Sequence, residues 1–402
     1  MQSVSPMYSQ LVRLFPVTSL IVTGLAGIAA GAVYKLLRRS LQAHRIRQFD
    51  ALAFQIHKQW REMVRGDIPV ENWRDDAMKC EIVESIVIQE ITAAVDKDRA
   101  GLQAFLRESG LLELAIRKVD NARGGQRRGA MLTLGAMRVS EGIRPLSEGL
   151  DDWQFDTRLA ALHALGRTGL PEAAAPILEM LMVGSLRMPS DPVCNALVNC
   201  FLGNPKALIP YLERAKGESR EVVARVASEI ATPDLADLML EYAIDPDPEV
   251  RACAAKTLGM APLSIAIPAL GNLVRDDTWF VRLRATRALN QIPHPRTIPI
   301  LLEAVRDPNR QVRIRAAAAL AKFEHETIEI LQSIVDSRDR YALHAMISAL
   351  ELGGGFEKVV AELSDPMLHD EAAARLVKAL RDGAAGLWGT RPADPVVESV
   401  FP

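Results

Sequence analysis

Seven histidines (His44, His57, His163, His294, His325, His344 and His369) and four cysteines (Cys80, Cys194, Cys200 and Cys253) are the side chains of this 402-residue sequence best suited to metal ligation, nucleophilic attack or proton transfer. Zinc sites and disulfide frameworks announce themselves by paired spacing, and no Cys-x-x-Cys pair occurs, so buried thiols in a reducing compartment are expected. The single His-Glu dipeptide, His325-Glu326, sits in the polar stretch Phe323-Glu324-His325-Glu326, and one such dipeptide cannot assemble a His-rich two-metal centre. His163 and His344 fall inside helical patterns, where a packed or rim position is expected. No Gly-rich phosphate loop, Gly-x-Ser-x-Gly elbow or His-Glu-x-x-His segment is present. The expectation is therefore a chain with no catalytic residues, no metal and no cofactor, whose chemistry is recognition.

Arginine and aspartate carry the regular spacing instead. Arg127, Arg158, Arg251, Arg282 and Arg313 each stand seven residues before an apolar anchor, and Ala130, Ala161, Ala254, Ala285 and Ala316 stand four before it. The anchors are Leu134, Leu165, Phe201, Ile230, Leu258, Leu289, Leu320 and Leu350, separated by 31, 36, 29, 28, 31, 31 and 30 residues. A period near 31 accommodates two helices and two short turns, a unit too small to bury both its faces alone. An Asp precedes the Arg by six residues in four units: Asp152/Arg158, Asp245/Arg251, Asp276/Arg282 and Asp307/Arg313. Proline recurs inside each first helix, at Pro145, Pro176, Pro210, Pro268 and Pro299, which predicts a kinked element. The Arg is absent where Cys194, Val223 and Leu343 occupy its position, so apolar packing alone is expected there. The 36-residue step marks an insertion at Val183 to Pro192, read either as a docking loop or as a neutral addition.

Composition agrees with helices. Hydrophobic residues make up 49% and aromatics only 5%, the balance of closely packed helices. With 48 Lys plus Arg against 50 Asp plus Glu, the net charge of −2 removes any global attraction for nucleic acid.

The combination of Asp, Val-Arg and Ala-Ala-x-x-Leu, as in Asp307-Pro308 through Val312-Arg313 to Leu320, resembles HEAT repeats of the phycobilisome-lyase-like subtype over about residues 121 to 380. The resemblance implies an all-α fold, a right-handed α-solenoid of HEAT-like pairs forming an armadillo-like superhelix. It also implies a ladder of ion pairs between successive units made by Asp152, Arg158, Asp245, Arg251, Asp276, Arg282, Asp307 and Arg313. The competing reading of these arginines is an open basic groove. Under the ladder reading, replacing Arg282 would strand Asp276. Relatives of this kind include bilin lyases and a metal-dependent hydroxylase with several His-Glu dipeptides. An enzyme of either type is the alternative function, with Trp153 and Trp279 read as covering helix packing.

The elements before the repeats complete the layout. Leu14 to Tyr34 holds no charge, and its 21 residues would span about 31 Å as a helix, which reads as a retained transmembrane segment rather than a cleaved signal. One Arg precedes it and Lys35, Arg38, Arg39, Arg45 and Arg47 follow, so positive-inside counting places the remainder in the cytoplasm. Gly27 and Gly31 have the spacing of a helix dimer contact. The expected order is a flank at 1–13, the transmembrane helix at 14–34, a basic juxtamembrane helical stalk at 35–70, an N-terminal helical cap at 71–126, the array at 127–381 and a disordered tail at 382–402.

The function expected from this layout is a single-pass inner-membrane scaffold that binds a protein partner at the cytoplasmic face and no nucleic acid. The layout and Asp339-Arg340-Tyr341-Ala342 also resemble bacterial HEAT proteins associated with polysaccharide glycosyltransferases, which implies a membrane synthase as partner. Candidate partner-binding residues are Arg187 and Asp191 in the insertion and Arg225, Arg284 and Arg315 on second helices.

Overall fold

The structure, a computed structural model, describes residues 6–65, 67, 76–93, 96–364 and 371–389, with backbone alone at 6–29, 77, 96–98 and 385–389. Two compact units divide the chain, Met1–Arg117 and Lys118–Pro402.

The first unit contains α1 (Pro6–Arg65), α2 (Ala77–Ala93), α3 (Asp96–Glu108) and the start of α4 (Leu111–Asn121). Its core is built where apolar residues recur at helical spacing: Ile82, Val83, Ile86, Val87 and Ile91 of α2 are buried, and Trp60 of α1 meets Phe105 of α3 edge-on at 5.5 Å. Among the described residues of α1, Ile56, Trp60 and Met63 in its last three turns are the buried apolar ones. Leu41 and Phe54 of the same helix are exposed.

The single-pass inner-membrane assignment is overturned. Among the described residues no helix is long and apolar enough to cross a membrane. The side chains of 6–29, and with them Gly27 and most of 14–34, lie outside the described residues; backbone continues through them as part of one 60-residue helix. From residue 30 onward that helix carries Lys35, Arg38, Arg39, Arg45 and Arg47 on exposed positions. The orientation counted from these five residues goes with the spanning helix it was meant to orient. Gly31 has open space around its Cα.

In the second unit, helices α5 (Gly124–Ala136), α7 (Phe155–Thr168), α9 (Ser190–Phe201), α11 (Glu218–Ile230), α13 (Pro248–Leu258), α15 (Trp279–Leu289), α17 (Arg310–Leu320) and α19 (Arg340–Leu352) stack in one continuous row. Each packs on the next, and α21 (Glu371–Gly389) closes the row on α19. Small buried residues make the stacking possible: Ala161, Ala254, Ala285 and Ala316 have no exposed surface. The intervening helices are α6 (Ile143–Ser147), α8 (Ala174–Met182), α10 (Ile209–Arg214), α12 (Ala236–Tyr242), α14 (Leu263–Leu273), α16 (Ile298–Ala304), α18 (Thr327–Asp336) and α20 (Phe356–Leu363), each packed on the row helix that follows it.

The prolines act differently from the expected mid-helix kink. Short 3-10 turns precede α6, α8, α10 and α16, and Pro145, Pro176, Pro210 and Pro299 then fall at the second or third residue of the α-helix. There the missing N–H is one that the helix leaves unpaired anyway. Pro268 alone of this set lies inside its helix, α14. The tail also differs, because α21 continues helical to Gly389, beyond the expected break at 382; residues 390–402 lie outside the described residues.

Candidate functional site

At the starts of α7, α13, α15 and α17 the backbone turns in from the preceding short helix, and an Asp in that turn accepts the N–H two residues on. Gln154 N donates to Asp152 at 2.9 Å, Thr278 N to Asp276 at 2.8 Å and Asn309 N to Asp307 at 2.7 Å. The Arg six residues later does not meet the carboxylate of its own unit. Its Nη1 donates to that Asp's backbone carbonyl instead, at 2.9 Å for Arg158 on Asp152, 2.7 Å for Arg251 on Asp245, 2.9 Å for Arg282 on Asp276 and 2.7 Å for Arg313 on Asp307.

The carboxylate that each Arg grips belongs to the following unit, 25 residues on. Arg127 reaches Asp152 at 2.8 Å, and Arg251 holds Asp276 through two bonds of 2.7 and 3.0 Å. Arg282 holds Asp307 at 2.6 and 3.0 Å, and Arg220 holds Asp245. The Asp stranded by loss of Arg282 is therefore Asp307, not Asp276. Arg251 and Arg282 each tie a turn of their own unit to the turn of the next, and the two-pronged geometry fixes their relative register.

Arg220 corrects the expected gap at Val223. That gap follows from anchoring the unit on Ile230, but α11 runs three residues further than its neighbours and ends on Ala231 in the left-handed region, φ 40°. Val223 is core with no exposed surface, whereas Arg220, Arg251, Arg282 and Arg313 are each 31 residues from the last. The guanidinium of Arg220 also lies 3.9 Å over the ring of Tyr242, whose hydroxyl donates to the Leu212 carbonyl at 2.7 Å. Arg158 and Arg313 have no carboxylate partner among the described residues; position 183 is Val and position 338 is Arg. Arg313 instead lies over the Tyr341 ring at 5.2 Å.

Burial alone would raise the Asp276 carboxyl, but the bonds from Arg251 and the Thr278 N–H outweigh it and hold the group below the ordinary carboxylate value. The bond to Asp276 raises Arg251 in turn. A depressed folded-state value means that the carboxylate contributes stability above the unfolded value, about pH 4, and loses it as pH falls through the folded one. The stability difference between the native chain and Asp276→Asn should therefore shrink as pH falls from 5 towards 3, measured by urea unfolding. A difference independent of pH would show that the charge of Asp276 is not what the ladder uses.

The other candidate residues fall into separate groups. Asp191, on the first turn of α9, meets Arg225 of α11 at 2.9 Å, and Arg225 also holds Glu221 at 2.6 Å, so this arginine is internally paired. Arg187 is exposed in the loop between α8 and α9. Arg284 and Arg315 share a neighbourhood with Arg287, which was not singled out in the sequence because it is outside the ladder phase; burial and the Arg315 and Arg284 charges together lower its proton affinity. Trp153 covers no packing, being 84% exposed. His325 is exposed and Glu326 half-buried in a turn before α18, and no group of three or more His, Cys, Asp or Glu suited to a metal ion occurs among the described residues. All four cysteines are free and buried, and burial pushes Cys194 up to about 11 and Cys200 up to about 12.

A row of helical pairs joined by a repeating Arg–Asp clasp defines a helical-repeat protein. Residues 205–290 and 267–351 match the family model for HEAT repeats. No curated protein matches the chain. Among solved structures, an engineered protein is similar at 17% identity and TM-score 0.36, over 77% of this chain and 95% of that one. YibA of Escherichia coli is similar at 16% identity and TM-score 0.32 over 74% and 96%, and human deoxyhypusine hydroxylase at 20% identity and TM-score 0.22 over 77% and 98%. At scores this low none of the three bears on what this chain does.

Proposed function

We propose that the chain is a non-enzymatic scaffold whose partner-binding surface is the outward face of the row helices. The observation that carries this reading is the division of labour among the arginines. Arg127, Arg220, Arg251 and Arg282 at the helix starts are bound into the clasp between units, while Arg284 and Arg287, further along α15, stay exposed. An unbroken row of parallel helices offers a long surface of this kind, which is how helical-repeat proteins engage other proteins. The nucleophilic candidates support the same reading. A thiol is reactive as thiolate, and buried groups raised to about 11 and 12 stay protonated at neutral pH.

The test is photo-crosslinking from single introduced residues in cells expressing the full chain. Asn195 of α9, Glu229 of α11 and Arg287 of α15 are exposed row positions; Glu179 of α8 and Asp237 of α12 are exposed controls on the intervening helices. A polypeptide should be captured from the row positions and not from the controls. Capture from the controls alone, or from neither set, would overturn the reading.

A further inference from the structure

Within the row, α15 departs from the charge pairing seen on α11 and α13. On α11 and α13 the half-buried cations have partners: Arg225 holds Asp191 and Glu221, and Lys256 meets Glu229 at 3.0 Å. On α15, Arg284 and Arg287 stand three residues apart and so share one helix face. Both are exposed, and among the described residues neither makes a hydrogen bond or an ion pair. Arg315 comes from the adjacent α17, close enough that its charge and that of Arg284 are felt at Arg287. Like charges this close repel, and the fold leaves them together although the chain as a whole carries a slight excess of acid. The same face bears Phe280, half-buried four residues before Arg284, in edge contact with Trp279 at 5.9 Å; Trp279 is 43% exposed.

We infer that the α15 face is the docking site for a short acidic segment of a protein partner, its carboxylates on Arg284 and Arg287 and an apolar residue on Trp279 and Phe280. This rests on the scaffold reading above and names the chemistry of the partner. Clustered arginines beside exposed aromatic rings are the composition that concentrates binding energy at protein interfaces. The size of the patch selects a peptide over a nucleic acid. Arg284 and Arg287 stand about 4.5 Å apart along the helix axis, so the two guanidinium groups span the reach of a few residues of chain. Exposed Glu249 on α13 bounds the patch on one side, and a net charge of −2 supplies no wider field to draw in a polyanion.

Fluorescence anisotropy with the full chain and a labelled octaglutamate peptide at low ionic strength tests the site, with octalysine and a single-stranded oligothymidylate as comparison probes. Octaglutamate should bind and octalysine should not. The double variant Arg284→Gln/Arg287→Gln should weaken binding by about tenfold or more, while Arg225→Gln, whose charge is already paired, should change it by no more than about twofold. The double variant should melt at or above the temperature of the native chain, since it relieves repulsion, which separates lost binding from lost folding. Octaglutamate binding unchanged in the double variant would overturn the inference. So would tighter binding of oligothymidylate lost in the same variant, which would mark a nucleic-acid site. The crosslinks from Asn195 and Glu229 keep the two readings apart. If they persist while octaglutamate fails to bind, the acidic segment is wrong and the scaffold stands; if they are absent while octaglutamate binds, the reverse holds.

Discussion

Arg282→Ala should lower the unfolding free energy by about 3 kcal/mol or more, towards the 3–5 kcal/mol range of a broken buried ion pair. The loss has two parts. Asp307, with 5% of its side chain exposed, is gripped at 2.6 and 3.0 Å by the guanidinium, and without it keeps only the Asn309 N–H at 2.7 Å. The carbonyls of Asp276 and Asp277 lose their donor as well, at 2.9 and 3.0 Å. The pair borders an open cleft that Pro299, Glu303 and Ser333 also line, so water can partly resolvate the carboxylate, which keeps the loss near the lower bound. Arg313→Ala is the internal comparison. It removes two carbonyl bonds and the contact with Tyr341 but strands no carboxylate, and should cost about 1–2 kcal/mol. Urea unfolding of the two variants, together with Arg282→Ala/Asp307→Asn, decides the matter: the double variant should recover part of the loss, since the uncompensated charge is gone. Equal costs for Arg282→Ala and Arg313→Ala would mean that the clasp does not hold successive units together.

The repeat is legible in the sequence because the requirements of stacking recur at fixed offsets: a buried Ala at 161, 254, 285 and 316, an Arg seven residues before a buried Leu, and an Asp in the turn ahead. The direction of the clasp is not legible from the six-residue spacing, because that offset brings Arg282 to the carbonyl of Asp276 and leaves the carboxylate to the preceding unit's Arg251. The informative interval is the 25 residues from Arg251 to Asp276 and from Arg282 to Asp307, which would also have found Arg220 through Asp245. Anchoring on Ile230 hides that match, since α11 is three residues longer at its end and Ile230 is only half-buried. At the other end of the chain, an uncharged stretch followed by basic residues reads as an anchor by length and flank rules alone. Those rules take no account of the helix continuing unbroken to Arg65, where its apolar residues Ile56, Trp60 and Met63 are spent on an interior with α2 and α3. The exposed arginine group is half legible. Arg284 and Arg315 follow from their place on second helices, whereas Arg287 emerges only when two neighbouring helices are seen to set three like charges side by side.

Gly166→Ala should destabilise the chain although the same exchange usually favours a helix. Inside a helix, alanine is better than glycine by about 1 kcal/mol, and at Gly129 of α5, where an added Cβ meets nothing within 4 Å, that gain should appear as a higher melting temperature. Gly166 lies near the end of α7, and its added Cβ would stand 2.7 Å from the Ala196 Cα and 3.0 Å from its Cβ. Ala196 is itself buried on α9 with 3% of its surface exposed, so neither partner can rotate away, and relief requires the two helices to separate. Overpacking of this kind costs about 1–3 kcal/mol, which exceeds the propensity gain. Gly135 repeats the arrangement one unit earlier, its added Cβ 2.7 Å from the Ala164 Cα. Gly259 is looser, since its nearest neighbour is the Ala288 Cβ at 3.0 Å, and alanine there should be close to neutral as propensity and crowding cancel. Thermal melts of the four single alanine variants should therefore rank Gly129 above the native chain, Gly259 near it, and Gly135 and Gly166 below it. A stabilised Gly166→Ala would mean that α7 and α9 are not in close approach, and the small residues would then need another explanation.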